Sequence, residues 1–208
     1  MHTSSTTRAA DPRPARTRAA IHAAVERLSA EEGTDFTVDA VARAAGVSRT
    51  SFYAHFPDLD ALAVSMLVEA FREIGHDDVD ARRSTGMSRR ALARASSVRL
   101  VEHVASRRAF YRASLDWKLS SRVHEHVVEA YADRVLETVA ADPDLLPTGV
   151  DARDAARFVA GGALAVLTAW LRIDDPIDPG ALADRLVAVM PQWLTSPDRP
   201  HTSSPGHG

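Results

Sequence analysis

The sequence predicts an all-α fold, and three observations carry that expectation. Apolar residues recur three and four apart in segment after segment, and nothing alternates with period two. Ser, Thr, Asp, Gly and Pro stand where helices of that length begin and end. About nine helices are expected: a three-helix N-terminal unit, then a longer helical domain without internal repeat.

Residues 1–14, rich in Ser, Thr, Pro and Arg, have no periodicity and read as a mobile arm. The first helix is expected over 15–32, with Ile21, Ala24, Val25 and Leu28 inward and Gly33 ending it. Phe36 follows as a plug for the small core. Thr37 then caps a helix whose inward face is Val38, Val41, Ala42 and Ala45. Gly46 permits the left-handed backbone of a sharp turn, and Ser48 caps the next helix, where Phe52 and Phe56 share a face directed to the core.

What is left facing outward on that helix is Arg49, Thr50, Ser51, Tyr53 and His55, a short polar and aromatic set without a carboxylate. Such a set suits a DNA major groove, where Arg reaches guanine edges and Ser or Thr touch bases or phosphates. The bland alternative is a helical hairpin with a solvated face.

After Pro57, Asp58 caps a fourth helix whose apolar side runs from Leu59 to Ile74 over four turns. Residues 75–87 are polar with two glycines and read as a linker or loop. Further helices are expected over 88–105, 106–115 and 121–141, with a loop around Pro143 and Pro147. The helix over 151–173 carries FVAGGALAVLTAWL, apolar on nearly every side, and is expected to be buried all round. With a last helix over 179–190, opened by Asp178 and Pro179, it is expected to pair two copies of the chain through Phe158, Gly161, Gly162, Leu164, Leu182, Leu186 and Val189. Pro191 ends that helix, Trp193 and Leu194 cover it, and residues 195–208 are tail.

The run VDAVARAAGVSRTSFYAHFPDLDAL, preceded by EEGTDFTV, resembles the DNA-binding domain of the TetR/AcrR family of transcriptional regulators, without a gap from about residue 18 to residue 67. Gly46, Val47, Ser48, Phe52, Tyr53, Phe56 and Pro57 carry the resemblance. It implies a helix-turn-helix DNA-binding domain over 15–74 and a helical effector-binding and dimerisation domain over 75–194. It also implies that Thr37, Ser48, Arg49, Thr50, Ser51, Tyr53 and His55 contact phosphates or bases. Two positions depart from the family's pattern: Leu59 stands where a lysine is usual, and Thr50 where glycine or alanine is frequent. ASRRAFYRASL and the last two long helices resemble the C-terminal region of some members, on mostly apolar patterns.

Composition sets the remaining bounds. A chain of 208 residues with 45% hydrophobic and 25% charged residues suits an ordinary globular protein of one domain or two small ones. Without cysteine, disulfides and thiol chemistry are excluded. No apolar segment opens the N-terminus as a secretory signal, and the longest uncharged stretch, 158–171, falls short of the roughly 20 residues of a membrane span, so a cytoplasmic protein with no membrane partner is expected. Net charge is −3, and residues 1–60 hold seven arginines against eight carboxylates. Any DNA affinity must come from the distribution of charge: Arg8, Arg13, Arg16 and Arg18 gather around the start of the first helix and are placed to reach phosphate.

Enzyme chemistry finds little footing. His124 and His126 flank Glu125, but residues two apart on a helix point about 200° apart and cannot chelate one ion. No nucleophile elbow, P-loop or dinucleotide fingerprint is present, so neither metal nor cofactor is expected. His103, Phe110, Tyr111, Trp117 and Trp170 are candidates to line a cavity for a small apolar or aromatic effector, or else to be packed core. The function these signs imply is a homodimeric DNA-binding regulator, a repressor released from a palindromic double-stranded operator by a small molecule. The competing class is a helical ligand-binding or interaction module that keeps the scaffold without reading DNA.

Overall fold

The computed structural model describes residues 13–31, 33–84, 87–116, 120–141, 145–174 and 176–196. Their regular elements are all helices: α1 (Arg13–Ser29), α2 (Val38–Ala45), α3 (Arg49–Tyr53), α4 (Leu59–Ser84), α5 (Arg89–Ala105), α6 (Arg108–Ser114), α7 (Ser120–Ala141), α8 (Ala152–Arg172), α9 (Pro179–Val189) and the single turn α10 (Gln192–Thr195). The all-α expectation holds, with α10 added to the nine. Arg13 and Pro14, read as arm, form the first turn of α1, where a proline costs nothing because that N–H has no helical partner. The rest of the arm, Arg8 with it, and most of the tail lie outside the described residues.

The first three helices enclose a small core in which Ile21, Val25, Val41, Phe52 and Phe56 are all at most 2% exposed. Phe36 joins it, and its ring also meets Phe110 of α6 edge-on at 5.2 Å. The N-terminal core is therefore continuous with the rest of the fold. One cluster runs from Ile21 through Leu62 and Met66 of α4 and Leu100 of α5 to Leu182 and Leu186 of α9. A smaller one joins Val135 and Val139 of α7 to Ala156 and Val159 of α8 and Leu194 of α10.

α4 corrects the sequence reading. The polar stretch after Ile74 continues the same helix to Ser84, 26 residues and about 39 Å in all. A polar stretch shows no apolar periodicity, yet it can prolong a helix already nucleated by the packed turns before it. Gly75 sits inside the helix, and a Cβ on it would lie 3.2 Å from the Arg134 side chain of α7, so its absence permits that approach.

Behind α4 the helices pack in pairs, α7 along both α4 and α8, and α9 along α5. Asp151 opens α8 by accepting the N–H groups of Arg153 and Asp154, both at 2.9 Å, and Asp178 opens α9 in the same way ahead of Pro179. Among the described residues α8 alone is long and apolar enough to cross a membrane, yet half of its most apolar window is buried inside the fold.

Candidate nucleic-acid interface and effector cavity

The turn between α2 and α3 is built from local bonds. Thr37 Oγ1 accepts the Ala40 N–H at 3.1 Å, Gly46 takes φ 68°, and the Val47 N–H closes on the Ala42 carbonyl at 3.0 Å. Ser48 Oγ then accepts the Ser51 N–H at 3.1 Å and starts α3. With Phe52 and Phe56 inside, the opposite side of the helix presents Arg49, Thr50 and Tyr53, the last 47% exposed, flanked by the half-buried Ser51 and His55.

Two features of this surface were not legible beforehand. Arg49 is engaged across the turn by Asp39 of α2, Nε to Oδ1 at 3.1 Å and Nη1 to Oδ2 at 3.4 Å. A bond to Tyr53 one turn along, then the Asp39 charge, stabilise the guanidinium cation. Arg18, expected to reach outward to phosphate, is spent inside: it donates to Ser65 Oγ at 2.6 Å and lies over the Phe56 ring at 4.9 Å, clamping α1 to α4. Leu59, in place of the family's lysine, packs against the core.

The expected pairing residues divide into a buried and an exposed group, with Gly161 intermediate between them. Leu164, Leu182 and Leu186 are at most 6% exposed and belong to the chain's own core, the latter two on the α9 side facing α5, so they offer nothing to a second copy. Among the described residues Phe158 at 73% and Val189 at 67% are the most exposed of the large apolar ones, and Phe158 continues along α8 through Gly162, Ala165 and Ala169, all exposed. Within the single chain α8 is thus buried on one side, and its other side is an apolar strip in which Gly162, Ala165 and Ala169 follow Phe158.

A cavity of about 410 Å³ opens among α4–α8, walled by Leu67, Val104, Leu115, Val127, Leu164, Leu167 and Leu171, with Ser114, Thr168, His124, Glu125 and Arg172 as its polar groups. Of the four proposed for it that are described, Tyr111 alone lines it. His103 stands one step behind, Nε2 at 2.9 Å from the Tyr111 hydroxyl. Phe110 is fully buried against Phe36, and the Trp170 indole donates to the Ile177 carbonyl at 3.0 Å, closing the α8–α9 loop. Trp117 lies outside the described residues. The apolar wall residues were legible as core; that they face a void is a property of helix placement, which no sequence spacing encodes.

α6 is fastened at both ends. Arg108 donates to the Leu171 and Ile173 carbonyls at the end of α8, and Arg112 meets Asp174 at 2.6 Å. At its start Arg107 pairs with Glu26 of α1 at 2.9 Å. Burial, then the charges of Arg107 and His22, pushes His103 down to about 3, and burial raises the Tyr111 phenol well above its ordinary value. Among the described residues no three His, Asp or Glu side chains gather to hold a metal ion.

The turn between α2 and α3, the long α4 and the cavity together define a helix-turn-helix protein with a helical partner domain. Residues 21–66 match the tetR family of bacterial regulatory proteins. The match is confined to the N-terminal domain, and the fold as a whole is similar to that of TetR-family regulators. Over 54 residues it is 46% identical to an uncharacterized HTH-type transcriptional regulator of Haemophilus influenzae, a match spanning 26% of this chain and 26% of that protein. Among solved structures it is similar to FadR of Thermus thermophilus, a TetR-family transcriptional repressor in complex with lauroyl-CoA, with TM-score 0.62 and 17% identity over 92% of this chain and 99% of that one. FadR of Bacillus halodurans, a fatty acid degradation regulator, gives 0.60 and 17% over 86% and 95%. NalD of Pseudomonas aeruginosa, the secondary repressor of the MexAB-OprM multidrug efflux pump, gives 0.51 and 23% over 85% and 95%.

Proposed function

We propose that the chain is a homodimeric, cytoplasmic transcriptional repressor, released from a two-fold operator by a small-molecule effector. The observation that carries this reading is the division of α3: Phe52 and Phe56 anchor it inside, while Arg49, Thr50 and Tyr53 stand out on a helix held by the Ser48 cap. Thr37, Ser48, Ser51 and His55 border that surface. The cap oxygens of Thr37 and Ser48 accept intrachain bonds, which leaves each hydroxyl its hydrogen for a phosphate.

The division of labour follows the helices. Residues 15–74 read DNA, residues 75–194 bind the effector and the second copy, and α4 belongs to both. Two reading heads related by a two-fold axis require half-sites about one helical turn, roughly 34 Å, apart. An effector in the cavity tilts α4 and changes that separation, and it does so only by binding one state better than the other. The cavity's size and apolar wall suit a drug-sized apolar body.

Selection of duplexes from a randomised pool by the purified protein tests the proposal. The expected product is an inverted repeat with that spacing, bound with strong salt dependence, and bound with relaxed base preference by Arg49→Ala. A pool that returns no enriched sequence would instead favour a helical ligand-binding or interaction module, the class to which the Asp39–Arg49 pairing lends support.

A further inference from the structure

We propose that the Tyr111 hydroxyl is the polar sensor of the cavity, offering its hydrogen to the bound molecule, so that the site takes a largely apolar ligand carrying a hydrogen-bond acceptor such as a ketone oxygen. The inference rests on the cavity being an effector site, and it is argued from who can donate to whom.

An arginine guanidinium can only donate. Arg107 Nη1 lies 3.5 Å from His103 Nδ1 and 3.2 Å from the His103 carbonyl oxygen. A hydrogen on Nδ1 would point at that cation, so Nδ1 keeps its lone pair. The imidazole is neutral, being buried beside Arg107, and carries its one hydrogen on Nε2. That hydrogen is donated to the Tyr111 oxygen at 2.9 Å. The tyrosine is thereby made an acceptor toward His103, and its own hydrogen is left over.

Tyr111 is 3% exposed, and among the described residues its hydroxyl has no second hydrogen-bond partner. A buried donor left unmatched is costly, whereas the same ring lines a cavity whose wall is otherwise mostly aliphatic. A ligand acceptor placed there satisfies the hydroxyl; a hydrocarbon of the same shape does not. A site built to hydrogen-bond its ligand discriminates against the analogue lacking the polar atom far more sharply than an apolar site discriminates a methylene. The bond also has a mechanical consequence. Arg107, at the other end of the same polar chain, holds Glu26 of α1 at 2.9 Å, so a shift of Tyr111 is felt in the helix that braces the reading head.

Two probes of matched shape test this on the full chain: 4-phenylbutan-2-one, which carries a ketone oxygen, and butylbenzene, which does not. Titration calorimetry on the protein alone is expected to show the ketone binding wild type about tenfold tighter than the hydrocarbon. Tyr111→Phe, which keeps the ring, should erase that preference, so that the two probes bind the variant alike. Equal binding of the two probes to wild type, a ketone preference that survives in Tyr111→Phe, or binding of neither probe overturns the proposal. Duplex selection without any probe is read separately. Its failure removes the regulatory reading, while the ketone preference, measured without DNA, still stands or falls by itself.

Discussion

Arg49 Nε stands 3.1 Å from Asp39 Oδ1, so the cation nearest the proposed groove is already held, along one edge, by a carboxylate of the preceding helix. Both side chains are more than half exposed, and a pair of that kind contributes little stability. Its effect is on aim. Fixing Nε and Nη1 leaves the remaining guanidinium N–H groups in a defined direction, and the carboxylate repels any phosphate that approaches without the matching base. Asp39→Asn is therefore expected to raise affinity for a scrambled duplex while lowering the ratio of selected to scrambled binding by about tenfold, the scale of one good base contact. Fluorescence anisotropy with both duplexes at two salt concentrations measures this. A parallel rise on both would show that Asp39 acts by charge alone.

The reading helix is short enough to depend on its ends. α3 has five residues, far below the length at which a helix persists unaided, and its start rests on the Ser48 to Ser51 bond of 3.1 Å. Ser48→Ala should cost about 1 kcal/mol in urea unfolding and weaken every duplex to a similar degree. Gly46→Ala, at φ 68°, should cost about as much through backbone strain while leaving all side chains of the surface in place. Unfolding midpoints equal to wild type for both variants would remove the local turn as the organiser of α3.

Pairing of two copies is the next testable point, because the apolar strip on α8 is open in the single chain. Phe158 is 73% exposed, so replacing it leaves this chain's own core untouched. Phe158→Asp should give a folded monomer by sedimentation velocity, with unchanged helical circular dichroism, and should abolish binding to the paired half-sites. If the variant sediments with wild type, the α8 strip is not where the copies meet.

The parts of this molecule legible in the sequence are those decided within one turn of the chain. Ser48, Gly46 and Thr37 were readable because cap and turn chemistry acts on backbone groups two to four residues away. Phe52 and Phe56 were readable because spacing fixes a helix face. Apolar identity says that Leu182 is buried, but not that α5 of the same chain buries it. The same limit explains Trp170, whose indole closes a loop, and Phe110, which leaves the cavity to meet Phe36. Asp39 and Arg49 are ten residues apart on two helices, and only the angle of the turn brings them together. Helix α4 ran past its apolar pattern because a helix needs a tertiary face for stability only over part of its length.

Acid should expose the cost of the buried His103 directly. Burial first, then the charges of Arg107 and His22, holds its folded pKa at about 3, against about 6.5 in an unfolded chain. Between those values the unfolded state binds the extra proton, so stability rises with pH. The contribution is fully present above about pH 6.5 and is lost as pH falls toward 3. From about pH 7 to pH 5 the loss should be roughly 2 kcal/mol. His22 is also depressed, mainly by burial with Glu69 opposing, and adds to the slope in the same direction. His103→Gln cannot take up the proton and can still hydrogen-bond Tyr111, so its urea midpoint should fall less steeply over the same range. The variant separates His103 from His22: if wild type and His103→Gln lose stability in parallel, the titrating group lies elsewhere, and the neutral His103 that makes Tyr111 a donor to the cavity loses its independent support.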